Sequence, residues 1–163
     1  MSKRQSPEHD LQVECVAWMR YEYPALRPVF YAVPNGGDRN EIVAARLKAE
    51  GVTPGISDLI LQLPAGCYTQ LCIEMKDRKG RQTPEQEIYE ACATAAGALY
   101  IVCRSFDDFR QVVKEYISKA DPAIITRLAD ITRQAERRRV QDAYEKLKKR
   151  TPNPESINHK SNS

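Results

Sequence analysis

The strongest constraint on the fold is a pair of short apolar runs, each carrying an acid where a core strand has no use for one. Gly55-Ile56-Ser57-Asp58-Leu59-Ile60-Leu61-Gln62-Leu63 and Leu71-Cys72-Ile73-Glu74-Met75-Lys76 each read as a strand, with Pro64-Ala65-Gly66 as the turn between them. Side chains alternate across a strand, so Glu74 and Lys76 project together and Met75 points away. Asp58, Glu74 and the backbone carbonyl of Met75 are hard oxygen donors of the kind that Mg²⁺ or Mn²⁺ takes. Lys76 beside them can orient a water or offset charge on a phosphate. An isolated Glu-x-Lys at a strand end is usually an ordinary surface pair. Here Gly55 and Ser57 before the aspartate, the two apolar runs and a helix bearing Gln86 straight afterwards set it apart.

With 163 residues the chain suits one domain with a real core. No apolar run approaches the roughly 18 residues of a membrane span, and the opening Met-Ser-Lys-Arg-Gln-Ser-Pro-Glu lacks the apolar segment of a signal peptide. The expectation is a cytoplasmic protein with no membrane partner. The five cysteines include no C-x-x-C pair, and three of them, Cys15, Cys72 and Cys103, lie in apolar periodic stretches, which favours buried free thiols over disulfides or zinc. Its two histidines, His9 and His159, lie near opposite ends. The net charge of +3 is unevenly spread: residues 1–119 hold 15 Lys and Arg against 16 Asp and Glu, and residues 120–150 hold 9 against 5. A polyanion is the partner such a basic segment attracts, although a solvated helix face is the commoner meaning.

The rest of the chain supplies helices. Residues 1–6 read as a loose start. A first helix runs from Pro7 to about Tyr23, with Ser6 as cap and Glu8 at its positive end. Leu11, Cys15, Trp18 and Met19 form its apolar stripe. Glu8 lies on that line one turn earlier, where it can reach a site at the sheet edge or serve only the helix dipole. Glu14 is the other acidic candidate, nearer the flank. Pro24 and Pro28 bracket a turn, and Val29–Val33 reads as a strand. Pro34-Asn35-Gly36-Gly37-Asp38-Arg39-Asn40 is a loop whose Asn35 and Arg39 are placed to touch phosphate. A second helix spans about Glu41 to Glu50.

After Lys76 comes the basic loop Asp77-Arg78-Lys79-Gly80-Arg81-Gln82. Thr83, Pro84 and Gln86 then make a capping box, a structural use for Gln86 that competes with a functional one. Ala98–Cys103 is a continuous apolar strand of the buried kind. Ser105 caps a helix from Phe106 to about Lys119. A last helix starts at Asp121-Pro122 and runs to about Lys149. Its apolar positions thin out after Ile131 and basic ones take over, so it reads as an arm set against a partner subunit, nucleic acid or solvent. The order implies an α/β sandwich with a central mixed sheet flanked by helices. We divide it into a domain over residues 1–119, a basic helical extension over 120–150 and a disordered tail over 151–163.

Together, several motifs resemble the virus-type replication-repair nuclease (VRR-NUC) family of the PD-(D/E)xK nuclease superfamily. They are Glu8-x-x-Leu11-Gln12 with Trp18, Val33-Pro34-Asn35-Gly36-Gly37, Arg46-Leu47-Lys48-Ala49-Glu50-Gly51-Val52 leading to Gly55-Ile56-Ser57-Asp58-Leu59, Ile73-Glu74-Met75-Lys76, and Thr83-Pro84-Glu85-Gln86. The resemblance covers about residues 8–117 and leaves out the C-terminal arm. Ser57 departs from it, since the family more often has proline there; that residue turns the chain and is not a ligand.

The resemblance implies a restriction-endonuclease-like fold and Mg²⁺-dependent hydrolysis of DNA phosphodiester bonds, with Mn²⁺ able to substitute and no nucleotide cofactor. It implies that Asp58, Glu74 and the Met75 carbonyl hold the metal and that Glu8 reaches the metal or its water. Lys76 would position and polarise the attacking water, and Gln86 would orient Lys76 or the water. Asn35, Arg39, Arg78, Lys79 and Arg81 would contact the DNA backbone. Small stand-alone members look like homodimeric, structure-selective nucleases. A homodimer cutting branched DNA such as a four-way (Holliday) junction, in a bacterial or phage-infected cell, is therefore the expectation. Two readings compete with it. One is a non-catalytic DNA-binding or assembly module, which has no need of Asp58, Glu74 and Lys76 together. The other is a nuclease of other specificity (flap, exonuclease or restriction-type), against which the short loops and the lack of a separate recognition domain count.

Overall fold

The computed structural model describes residues 7–34 and 41–150. Its helices are α1 (Pro7–Glu22), α2 (Glu41–Ala49), α3 (Pro84–Ala95), α4 (Phe106–Ser118) and α5 (Pro122–Arg150), and its strands are β1 (Phe30–Ala32), β2 (Leu59–Leu61), β3 (Leu71–Met75) and β4 (Leu99–Cys103). The strands form one sheet in the order β1-β2-β3-β4. β1, β2 and β3 are antiparallel neighbours, and β4 joins β3 in parallel after the α3 crossover. The sheet is mixed and carries helices on both faces, as the order of elements implied.

β3 lies between two strands and under helices on both sides, so all of Leu71-Cys72-Ile73-Glu74-Met75 is buried. Strand parity sorts its side chains. Leu71, Ile73 and Met75, with Leu59 and Leu61 of β2, face a large core completed by Cys15 and Met19 of α1 and Phe109, Val113 and Tyr116 of α4. Cys72 and Ile60 face a smaller core against Ala93, Tyr89 and Tyr100. Glu74 shares the parity of Cys72, so it emerges on the α3 face at the end of the strand. Burying the five large side chains on the other face is worth on the order of 10 kcal/mol. That exceeds the several kcal/mol that desolvating a charged group costs, so the sheet can hold a buried acid.

Trp18 ties α1 to α4, with its ring edge-on to Tyr23, Phe106 and Phe109 at 5.8, 6.0 and 6.0 Å. The Tyr116 hydroxyl donates to the Leu63 carbonyl at 2.7 Å and fixes α4 to the end of β2.

Two segments differ from the sequence reading. The run from Gly55 to Leu63 pairs only over Leu59–Leu61, because Gly55 is folded against the start of α3. Its φ is +83°, and a Cβ there would lie 2.4 Å from the Glu85 carbonyl carbon and oxygen. Only glycine allows both that angle and that approach. Pro24–Val29 is a 3-10 helix where a turn was expected, so Val29 is not in the strand. Its Leu26 enters the large core. Asn35 and Arg39 lie outside the described residues, as do the segments 1–6 and 151–163.

α5 is a 29-residue helix. Ile124, Ile125 and Leu128 pack on the large core, and from residue 133 to 149 every side chain is exposed. Among the described residues no helix is long and apolar enough to cross a membrane.

Candidate active site at the end of β3

The antiparallel pair Leu59↔Ile73 sets the register of β2 on β3. Asp58 precedes Leu59 and Glu74 follows Ile73, so the two acids meet side by side across the strands. The Asp58 carboxylate accepts the Met75 N–H at 2.9 Å. Lys76 Nζ lies 2.9 Å from Glu74 Oε1, as strand alternation required. Gln86 Nε2 also donates to Glu74 Oε1. The other end of the same amide accepts the Thr83 N–H at 2.9 Å, while the Thr83 hydroxyl accepts the Gln86 N–H at 3.4 Å. The structural and site uses of Gln86 are therefore met by one side chain: the capping box fixes the amide, and the amide fixes Glu74.

Burial dominates the electrostatics. Glu74 is fully buried and Lys76 is 9 % exposed. Burial pushes the Glu74 carboxyl up from 4.5 to about 7, with the nearby Asp58 charge adding to the rise and Lys76 only partly opposing it. Desolvation outweighs the ion pair, as is usual for a buried pair. Asp58 is raised too, first by burial, against the lowering effect of the Met75 N–H and Lys76; Glu8 raises it further.

Glu8 comes to the same place from α1, its Oε1 accepting the Asp77 N–H at 3.1 Å. Glu14 is exposed on α1, so Glu8 is the helix-one acid brought to the site. Glu8 thus stands near Asp58 and Lys76. Among the described residues no three His, Cys, Asp or Glu side chains converge as a ready metal cluster. The side-chain donors that do meet there are carboxylate oxygens, from Asp58 and Glu74. Such a set fits Mg²⁺, which binds through one or two carboxylates and keeps several waters. The uncompensated, poorly solvated negative charge is a second reason for a cation to fit.

Three features were not legible in the sequence. The Tyr100 hydroxyl donates to Glu74 Oε2 at 3.3 Å. Gln82 backs it, its Nε2 lying 3.5 Å from that hydroxyl and 2.7 Å from Glu90 Oε2. Tyr100 had read as one more apolar strand residue; only the parallel pairing Cys72↔Tyr100 puts it on the face of Glu74. Arg104, just past β4, donates from Nη1 to the carbonyls of Asp77 and Gly80 at 2.7 and 2.8 Å. Gly80 closes that turn over the site, since a Cβ there would stand 3.1 Å from Glu8 Oε1 and 3.3 Å from Lys76 Cδ. The turn presents Arg78 and Lys79, which with Arg104, Pro7 and Leu11 line a shallow cavity of about 380 Å³. Arg81 is exposed beyond it.

A four-stranded mixed sheet with two acids and a lysine at one strand end defines a restriction-endonuclease-like α/β protein. The chain is similar to a solved structure described as a VRR_NUC domain protein, with 25% sequence identity and a TM-score of 0.62 over 73% of this chain and 94% of that one. The resemblance to the VRR-NUC family carried by the motifs is thereby shown, and the chain has a nuclease-family fold. No protein-family model matches the chain, and no curated protein does.

Proposed function

We propose that this protein is a Mg²⁺-dependent DNA endonuclease, and that branched DNA such as a four-way junction is its substrate. The observation that carries the reading is the convergence of Asp58, Glu74, Lys76 and Gln86 on one buried strand end, where a structural pair would need only two of them. Asp58, Glu74 and the Met75 carbonyl would hold Mg²⁺ or Mn²⁺, with Glu8 reaching the ion or its water. Bound there, the ion would polarise the phosphate and ease deprotonation of a water. Lys76 holds the attacking water and offsets charge on the phosphate as it develops. Gln86 and Tyr100 keep the Glu74 carboxylate in one orientation, so little reorganisation is left for the chemical step. Arg78, Lys79 and Arg81 meet the DNA backbone, where charge sets affinity. Two copies related by a two-fold axis would present two such sites to the strands of a junction. The five free cysteines suit a reducing cytoplasm.

The test compares labelled four-way, flap, splayed and linear DNA with Mg²⁺, with EDTA and with Lys76→Ala protein. Cutting of the junction that needs both metal and Lys76 supports the proposal. Preference for a long linear duplex at one sequence makes this a nuclease of another specificity. Tight binding without cutting in either Mg²⁺ or Mn²⁺ makes it a non-catalytic module.

A further inference from the structure

α5 carries a surface that the site at the end of β3 does not use. Its first turns are anchored by Ile124, Ile125 and Leu128, and Thr132 is its last half-buried residue. The exposed part from Arg133 to Lys149 is about 25 Å long at 1.5 Å per residue. It holds seven basic and three acidic residues. Several cations of the body are answered by an acid three or four residues away: Arg46 by Glu50 at 2.8 Å, Arg110 by Asp107 at 3.1 Å and Lys119 by Glu115 at 2.9 Å. At the root of the arm Arg133 likewise pairs with Asp130 at 2.6 Å. Beyond it the pattern stops. Among the described residues Arg137, Arg138, Arg139, Lys146 and Lys149 form no ion pair.

Four of them, Arg138, Arg139, Lys146 and Lys149, share a face, and Arg137 lies off it. At roughly 100° per residue the four fall within an arc of about 100°, on the line that Ile124 and Leu128 begin. The side of α5 that is apolar where the core covers it turns cationic where it overhangs. Val140, Tyr144 and Leu147, 70%, 56% and 65% exposed, lie on the opposite side. Arg138 and Arg139 form one pair and Lys146 and Lys149 another, with centres about 13 Å apart along the axis, close to the ~12 Å width of the DNA major groove. Asp142 lies between the pairs, over the groove.

We propose that the overhanging face of α5 is a DNA-backbone contact, in which the two pairs meet phosphates on either side of a major groove and lead a duplex arm along the body. This rests on the reading that the site acts on DNA. A second copy of α5 fits poorly, because like charges would face each other. An anionic membrane would draw on Arg137 and Lys148, which flank the Val140, Tyr144 and Leu147 stripe, and would leave these four cations on the far side of the helix.

The test uses the full chain in EDTA with a 40-base-pair duplex, measuring affinity by anisotropy at stepped salt. The variant combines Arg138→Gln, Arg139→Gln, Lys146→Gln and Lys149→Gln, on a helix face where glutamine keeps helix propensity. Each phosphate contact contributes about 0.9 to the log–log salt slope, so losing four should flatten the slope by about 3.6 and affinity should fall on the order of 10²-fold or more at low salt. A control with Arg138→Lys and Arg139→Lys should keep the slope. A glutamine variant with wild-type slope and affinity overturns the proposal, and if wild-type protein still cuts DNA, the nuclease reading survives. Wild-type protein that binds DNA through the arm but cuts nothing leaves the arm standing and fails the nuclease reading. Loss of binding to phosphatidylserine vesicles with an unchanged DNA slope would assign the face to membranes and also overturn it.

Discussion

The buried acid at the end of β3 should make the metal-free protein less stable as pH rises. Glu74 titrates at about 7 in the folded protein against 4.5 ordinarily. Between those values the native state keeps a proton that the unfolded chain has lost, so unfolding releases it and stability falls with rising pH. The contribution is complete below about 4.5, and its loss is complete once pH passes about 7. At ~1.36 kcal/mol per tenfold change in proton affinity the loss comes to about 3 kcal/mol. Asp58, also raised by burial, acts in the same direction. A domain of this size has about 5–15 kcal/mol in total, so the change is a large fraction. Urea unfolding in EDTA from pH 4.5 to 8 reads it directly, and Glu74→Gln protein should show a much flatter profile. Mg²⁺ should raise the midpoint more at pH 8 than at pH 5, because it competes with the proton. A wild-type midpoint that stays level or climbs through this window would refute the argument, since the Lys76 pair would then outweigh burial.

Other outcomes follow from the same geometry. Gly55→Ala combines a positive φ with a backbone clash and should cost about 2–5 kcal/mol in chemical denaturation; by shifting the start of α3 it should also slow cleavage. Tyr100→Phe removes one hydrogen bond from Glu74 and should lower the cleavage rate about tenfold, roughly 1–2 kcal/mol, with the fold intact by circular dichroism. Glu8→Ala should abolish or strongly reduce cleavage and Glu14→Ala should not; the reverse result would move the helix-one role to Glu14.

The sequence by itself determined the elements that local pattern controls. Thr83, Pro84 and Gln86 specified where α3 begins, because a capping box is satisfied within one turn. Ser105 did the same for α4, where its hydroxyl accepts the Asp108 N–H. Alternation along Leu71–Lys76 was enough to place Glu74 beside Lys76 and Met75 in the opposite core, since a strand has only two faces. Register and approach between distant segments were left to the tertiary structure. Nothing local says that β4 lies parallel to β3 with Tyr100 against Cys72, or that Arg104 reaches back to Asp77 and Gly80. Gly55 read as a strand start until α3 was packed on it, and Gln86 had two competing uses until one amide was seen to meet both. Local hydrogen bonding and side-chain parity are written into neighbouring residues. The meeting of Asp58, Glu74, Tyr100 and Glu8 depends on how four separate elements pack, and a core's packing is fixed only when all of them are in place.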